Sequence, residues 1–102
     1  MQKSNKVVYL AGPITGVKKY WEPFEKADDA LSSRGLTVLN PARLPQGMTN
    51  DKYARICASM LECADVVLFL EGWKGSEGAT LEWTYCQYTG KPVAYRLADV
   101  EV

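Results

Sequence analysis

Hydrophobic and polar positions along this chain switch between two periods. Lys6 to Ala11 (KVVYLA) and Asp65 to Leu70 (DVVLFL) are short, nearly continuous apolar runs, the pattern of strands covered on both faces. Leu36 to Leu39 and Pro92 to Leu97 supply two more. Between the runs the period lengthens to that of a helix. Trp21, Phe24, Ala27 and Leu31 form an apolar stripe, with Pro23 in its first turn and Gly35 at the C′ place. Thr49 or Asn50 can cap a second helix whose inner face carries Tyr53, Ile56, Met60 and Cys63. A third helix runs from about Gly78 to Tyr88, and Gly90 ends it.

Four apolar strands separated by three helices predict a single α/β domain over residues 1–102. The expected architecture is a three-layer α/β/α sandwich, Rossmann or flavodoxin-like, around a parallel sheet of four strands or five. The loops after the first three strands then share the carboxyl edge of the sheet, where open α/β folds bind ligands. Those loops carry Gly12, Gly16, Asn40, Gly47, Gly72, Gly75 and Gly78.

Composition narrows the chemistry. Twelve basic residues cancel twelve acidic ones, so there is no footprint for polymeric nucleic acid or an anionic membrane. The chain has no histidine. Ser-His-Asp and Cys-His mechanisms and His-bearing zinc sites are excluded, leaving Asp, Glu, Tyr, Cys and Lys for acid–base work. Cys57, Cys63 and Cys86 are odd in number and form no C-x-x-C pair; they read as reduced, mostly buried thiols of a cytoplasmic protein. Residues 1–6 lack the apolar core of a signal peptide, and no apolar run is long enough to span a bilayer. No metal site and no organic cofactor motif is read.

Gly12 and Gly16 sit between a strand and a helix, where φ > 0 is permitted and backbone N–H groups can approach a ligand. The spacing is neither Walker A nor G-x-G-x-x-G, and a plain tight turn also explains it. Glu82 has Gly78, Ala79, Tyr85 and Cys86 at helical spacing and hence no cation along its own helix. It is either a solvated helix glutamate or a carboxylate kept free for chemistry one turn inside the carboxyl edge. Ser76 can cap the third helix or contact a phosphate beside its amides. Trp73 and Trp83 read as packing residues, with Trp73 also able to cover a base. Tyr9 reads as core, and Asp65 as a turn or cap residue at the opposite edge.

Tyr9 to Gly16 (YLAGPITG), Asn40-Pro41-Ala42, Gly72-Trp73 and Ser76-x-Gly78-Ala79-x-x-Glu82 occur in that order. Together they resemble the nucleoside 2-deoxyribosyltransferase-like superfamily over about residues 7–95. The likeness is strongest to its small phage- and prophage-associated branch, and the superfamily also holds 2′-deoxynucleoside 5′-monophosphate N-glycosidases. The resemblance implies that Glu82 is a nucleophile attacking the anomeric carbon of a deoxyribosyl group, as in a retaining glycosidase. It implies that Tyr9 orients Glu82, and that Gly12, Pro13 and Gly16 line a nucleotide pocket with Asn40, Trp73 and Gly78. Ser76 matches a serine that contacts the 5′-phosphate. The family commonly has an aspartate eight residues before the Asp that opens the third strand; counting back from Asp65 reaches Cys57.

The resulting expectation is an N-glycosidase or deoxyribosyltransferase acting on a nucleoside or its 5′-monophosphate without a cofactor. The alternative, favoured by Cys57, is a protein on the same scaffold that binds a nucleotide without cleaving it. The aromatic third helix (Trp83, Tyr85, Tyr88) and the shared sites of the superfamily imply a homodimer or higher homo-oligomer.

Overall fold

Alternation along the first strand, β1 (Val7–Ala11), decides how the layers form. Val8 and Leu10 turn to one face, Tyr9 and Ala11 to the other, and all four are buried. The computed structural model, which describes residues 4–102, continues through α1 (Trp21–Ser33), β2 (Thr37–Leu39), α2 (Asn50–Cys63), β3 (Val66–Phe69), α3 (Glu77–Thr89) and β4 (Val93–Ala94). The four strands pair in parallel in the order β2-β1-β3-β4. This is the expected α/β sandwich, with four strands among the described residues.

Each face has its own core. Phe24, Ala27 and Leu31 of α1 pack on Val8, Leu10, Val66 and Leu68. Leu61 of α2 and Cys86 of α3 pack on Tyr9, Ala11, Val67 and Phe69. The chain runs outward from β1 to β2, then returns past β1 to β3 and β4. Parallel crossovers keep one hand, so reversing direction across the sheet moves the later helices to the opposite face. The carboxyl ends of β1 and β3 diverge at that reversal, the place where this architecture opens a crevice.

Several local expectations are corrected. The fourth strand spans only Val93–Ala94 rather than Pro92 to Leu97. Tyr95 leaves the sheet because its ring lies against Phe69 and Trp73 and its hydroxyl accepts from Trp83 Nε1 at 2.8 Å. On α2, Cys63 is exposed; the side chains turned inward are Tyr53, Ile56, Cys57, Met60 and Leu61, with Ala64 closing the row. The thiols therefore differ, with Cys86 buried, Cys57 half-buried and Cys63 exposed. Thr49 is the N-cap residue of α2, but its hydroxyl donates to Asp51 Oδ1 instead of capping. Asp65 does lie at the amino edge, where its Oδ2 accepts from the Val7 amide at 2.7 Å. No helix among the described residues is long and apolar enough to cross a membrane.

Candidate functional site

The site begins with a carboxylate on the wrong face for a solvated one. Ala79, Glu82 and Cys86 share the inner face of α3, and the residues on either side of Glu82 along that row are buried. A glutamate there is held over the sheet instead of in water. Tyr9, in the central strand β1 and 1% exposed, reaches it from below. Its hydroxyl donates to Glu82 Oε2 at 2.5 Å, the length of a charge-assisted hydrogen bond.

Electrostatics follow from that placement. Burial raises the Glu82 pKa to about 7, while the Tyr9 hydrogen bond pulls it down. Burial, and then the Glu82 charge, drive the Tyr9 phenol far above its ordinary range, so it remains a proton donor. Cys57 on α2 is the third member, with its thiol beside both the Tyr9 hydroxyl and Glu82. Burial pushes that thiol up, so it stays neutral. Glu82 takes part in no ion pair among the described residues. A carboxyl group poised near neutrality beside a fixed donor can serve as nucleophile, base or acid.

The loops around this cluster are built for close approach. A Cβ at Gly12 would sit 3.1 Å from Leu70 Cβ and 3.2 Å from Phe24 Cζ. Gly12 is therefore a packing glycine without a positive φ, while Gly16 uses the left-handed freedom allowed to both, with φ 76°. Gly72, with φ 87°, starts a short 3-10 turn (Trp73–Gly75) and lies against Pro13, so the loops after β1 and β3 meet. Ser76 is the N-cap of α3, its Oγ accepting from the Ala79 amide at 3.2 Å. Gly78, one turn before Glu82, faces open space, but the space beside Ala79 is filled by the core.

Two hollows open among the described residues. One, of about 470 Å³, is lined by Phe69, Glu71, Gly72, Trp73, Lys74 and Tyr95. Trp73 there stacks on Trp83 at 5.7 Å between ring centres. The other, about 220 Å³, lies at the end of β2 and is lined by Trp21, Glu25, Asn40, Ala42 and Arg43. Glu82 lines neither. Tyr9, Glu82 and Cys57 are thus brought together, Gly12, Pro13 and Gly72 adjoin one another, and Asn40 stands apart. The Asn40 side chain accepts from the Ala42 amide and donates to Asp28 Oδ2, at 2.9 and 3.0 Å.

Asp28 escapes a reading by stripe alone. It is 8% exposed, accepts from Ser32 Oγ at 2.9 Å and lies 3.4 Å from Arg43 Nε. The signal available was a carboxylate next to Ala27 inside an otherwise apolar stripe.

Fold and site together define an open parallel α/β protein whose ionisable cluster lies beneath the glycine-bearing edge of its sheet. Residues 6–95 match the family described as Domain of unknown function (DUF4406), and the chain belongs to that family. A search of curated proteins found no match.

Proposed function

We propose that this protein cleaves or transfers the N-glycosidic bond of a (deoxy)nucleoside or its 5′-monophosphate, with Glu82 as the nucleophile. The observation that supports this reading is the half-buried Glu82 carboxyl, 2.5 Å from the Tyr9 hydroxyl and in no ion pair among the described residues. The ionised oxygen attacks C1′ of the sugar, forming a C–O bond as the C1′–N bond breaks. The electron pair leaves on the base nitrogen, which takes a proton from solvent. Water then attacks C1′ of the glycosyl ester, returns a proton to solvent and frees the carboxylate; a second base in place of water gives transfer. In this reading Tyr9 orients Glu82, and Gly12, Pro13, Gly16, Trp73, Ser76 and Gly78 contact the nucleotide. Three free thiols suit a reducing cytoplasmic compartment.

The test is base release. Purified protein is incubated with a panel of deoxynucleosides and their 5′-monophosphates, with and without acceptor bases, and free base is measured by chromatography. Wild type releases base, and Glu82→Gln lowers the rate by about a thousandfold or more, as loss of a reacting group does. Turnover that survives Glu82→Gln overturns the assignment. The neutral Cys57 thiol favours a second reading, because it gives the departing base a poor acid. That reading is nucleotide binding without cleavage, and its signature is a thermal shift with nucleotides but no free base.

A further inference from the structure

The hollow of about 220 Å³ beside α1 lies in the layer opposite Glu82, and its walls depend on a carboxylate that the core does not need. Asp28 sits inside the apolar stripe of α1, where burying a charged group is costly unless partners answer it. Ser32 Oγ answers from the same helix. The other partners, Asn40 Nδ2 at 3.0 Å and Arg43 Nε at 3.4 Å, both belong to residues that line the hollow. An apolar side chain in its place would close that layer as well. The buried carboxylate is explained by what it holds in position.

What the hollow offers a ligand follows by elimination. The Asn40 side chain is fully engaged, donating to Asp28 and accepting from the Ala42 amide. Among the described residues Arg43 is held through Nε alone, and its side chain is 68% exposed. Its Nη1 and Nη2 groups are therefore open to a ligand. Glu25 is in no ion pair among the described residues. Trp21 supplies an aromatic wall: Tyr20 meets its ring at 85° and accepts from Gln46 Nε2 at 3.1 Å, which ties that wall to the loop after β2. The hollow thus joins a forked donor, a carboxylate acceptor and a ring.

We infer that this hollow binds a 6-oxopurine ring. Charge selects against an anion: Asp28 already offsets Arg43, and Glu25 leaves the site one negative charge in excess. A neutral ring also gives up less hydration on entry. On a 6-oxopurine, O6 and N7 form the acceptor pair that a guanidinium fork fits. The adjacent N1–H donates to Glu25, and the flat face stacks on Trp21. Adenine has the same shape with that edge inverted, an amino donor replacing O6 and a bare nitrogen replacing N1–H. The volume is below the roughly 300–1,000 Å³ of sites that enclose drug-sized ligands, so one ring system fills it. The site is separate from Glu82 and does not rest on the glycosidase reading.

The indole N–H signals of Trp21, Trp73 and Trp83, followed by heteronuclear NMR, test this with 9-methylhypoxanthine and 9-methyladenine. The methyl group fixes N7 as an acceptor and leaves no sugar for Glu82 to attack. 9-Methylhypoxanthine shifts the Trp21 signal with a Kd of about 1 mM or tighter, as a small ring system allows. 9-Methyladenine binds at least about tenfold more weakly. Arg43→Ala lowers the affinity by about tenfold, and so does Glu25→Ala, an exposed change that leaves Asp28 and its partners in place. A Trp21 signal that never moves, equal binding of the two purines, or unchanged affinity in both variants overturns the inference. Shifts confined to Trp73 and Trp83 place the ring elsewhere and overturn it too. Base release plays no part in this readout, so failure here and failure of the glycosidase reading are distinguishable.

Discussion

On the α1 side of the sheet, Val8, Leu10, Val66 and Leu68 meet Phe24, Ala27 and Leu31. The one buried charged residue there among the described residues, Asp28, has its oxygens taken by Ser32, Asn40 and Arg43. On the α2 and α3 side the same strands present Tyr9, Ala11, Val67 and Phe69, and the helices answer with Cys57, Glu82 and Cys86. One face is closed by dispersion and apolar burial; the other keeps a carboxyl group with a single hydrogen-bond donor among the described residues, Tyr9. Sequences that specify one structure avoid such groups except where they serve a purpose. The contrast teaches that both faces of the sheet build a core, while the ionisable cluster is confined to one of them.

The sharpest way to break that division is to truncate its apolar side. Phe24 is fully buried between Gly12 and the strands. Phe24→Ala is expected to lower unfolding free energy by about 3–5 kcal/mol. Cys86→Ala, its counterpart in the other layer, costs about 1 kcal/mol, the centre of ordinary substitutions. Urea midpoints of both variants measure this. The difference follows from the volume each change removes, and equal costs would mean that the layer around Cys86 cannot relax about the lost atom.

Much of this architecture was legible along the chain, because burial on both faces writes a strand as an unbroken apolar run. Val66 to Phe69 and Val7 to Ala11 were found for that reason. Val93–Ala94 was overextended because Tyr95 looks like a strand residue until Trp73 and Trp83 are seen to claim it. Glu82 was legible as a carboxylate lacking a helical partner. Its Tyr9 bond was not derivable from spacing, since it joins residues 73 positions apart, and only the resemblance placed Tyr9 beside it. Cys57 was found as a departure from a pattern. Asn40 and Asp28 show the limit: their contact depends on how the β2 loop folds back over α1, which no local period records.

A smaller effect separates the layers by pH. The Glu82 pKa lies near 7 in the folded protein, above its ordinary value of 4.5. A raised folded-state pKa contributes stability that is fully present below the unfolded value and is lost as pH rises through the folded one. Wild type should therefore weaken between about pH 4.5 and 7. Glu82→Gln stays neutral and should match wild type near pH 4, then exceed it by about 2–3 kcal/mol above pH 7.5, allowing for partial solvation of the site. Chemical denaturation at both pH values reads this out. A Gln variant less stable than wild type at pH 8 would show that the ionised carboxylate is welcome in its layer, and the contrast between the faces would collapse.

The smallest effect belongs to the hydroxyl that steadies this group. Tyr9 donates to Glu82, which favours the ionised form and opposes the rise caused by burial. Tyr9→Phe keeps the ring that fills the layer and removes only the donor. The Glu82 carboxyl, followed by carbon NMR in selectively labelled protein, should then titrate higher than in wild type, because the hydrogen bond that favours its charged form is gone. If catalysis requires the carboxylate, the pH profile of base release shifts in the same direction, with its rising limb moved toward alkaline pH. An unchanged midpoint would mean that water already satisfies Glu82 and that the tyrosine is packing alone. A lower midpoint would mean that the hydroxyl had been stabilising the neutral acid, and Glu82 would then be better read as a proton donor than as a nucleophile.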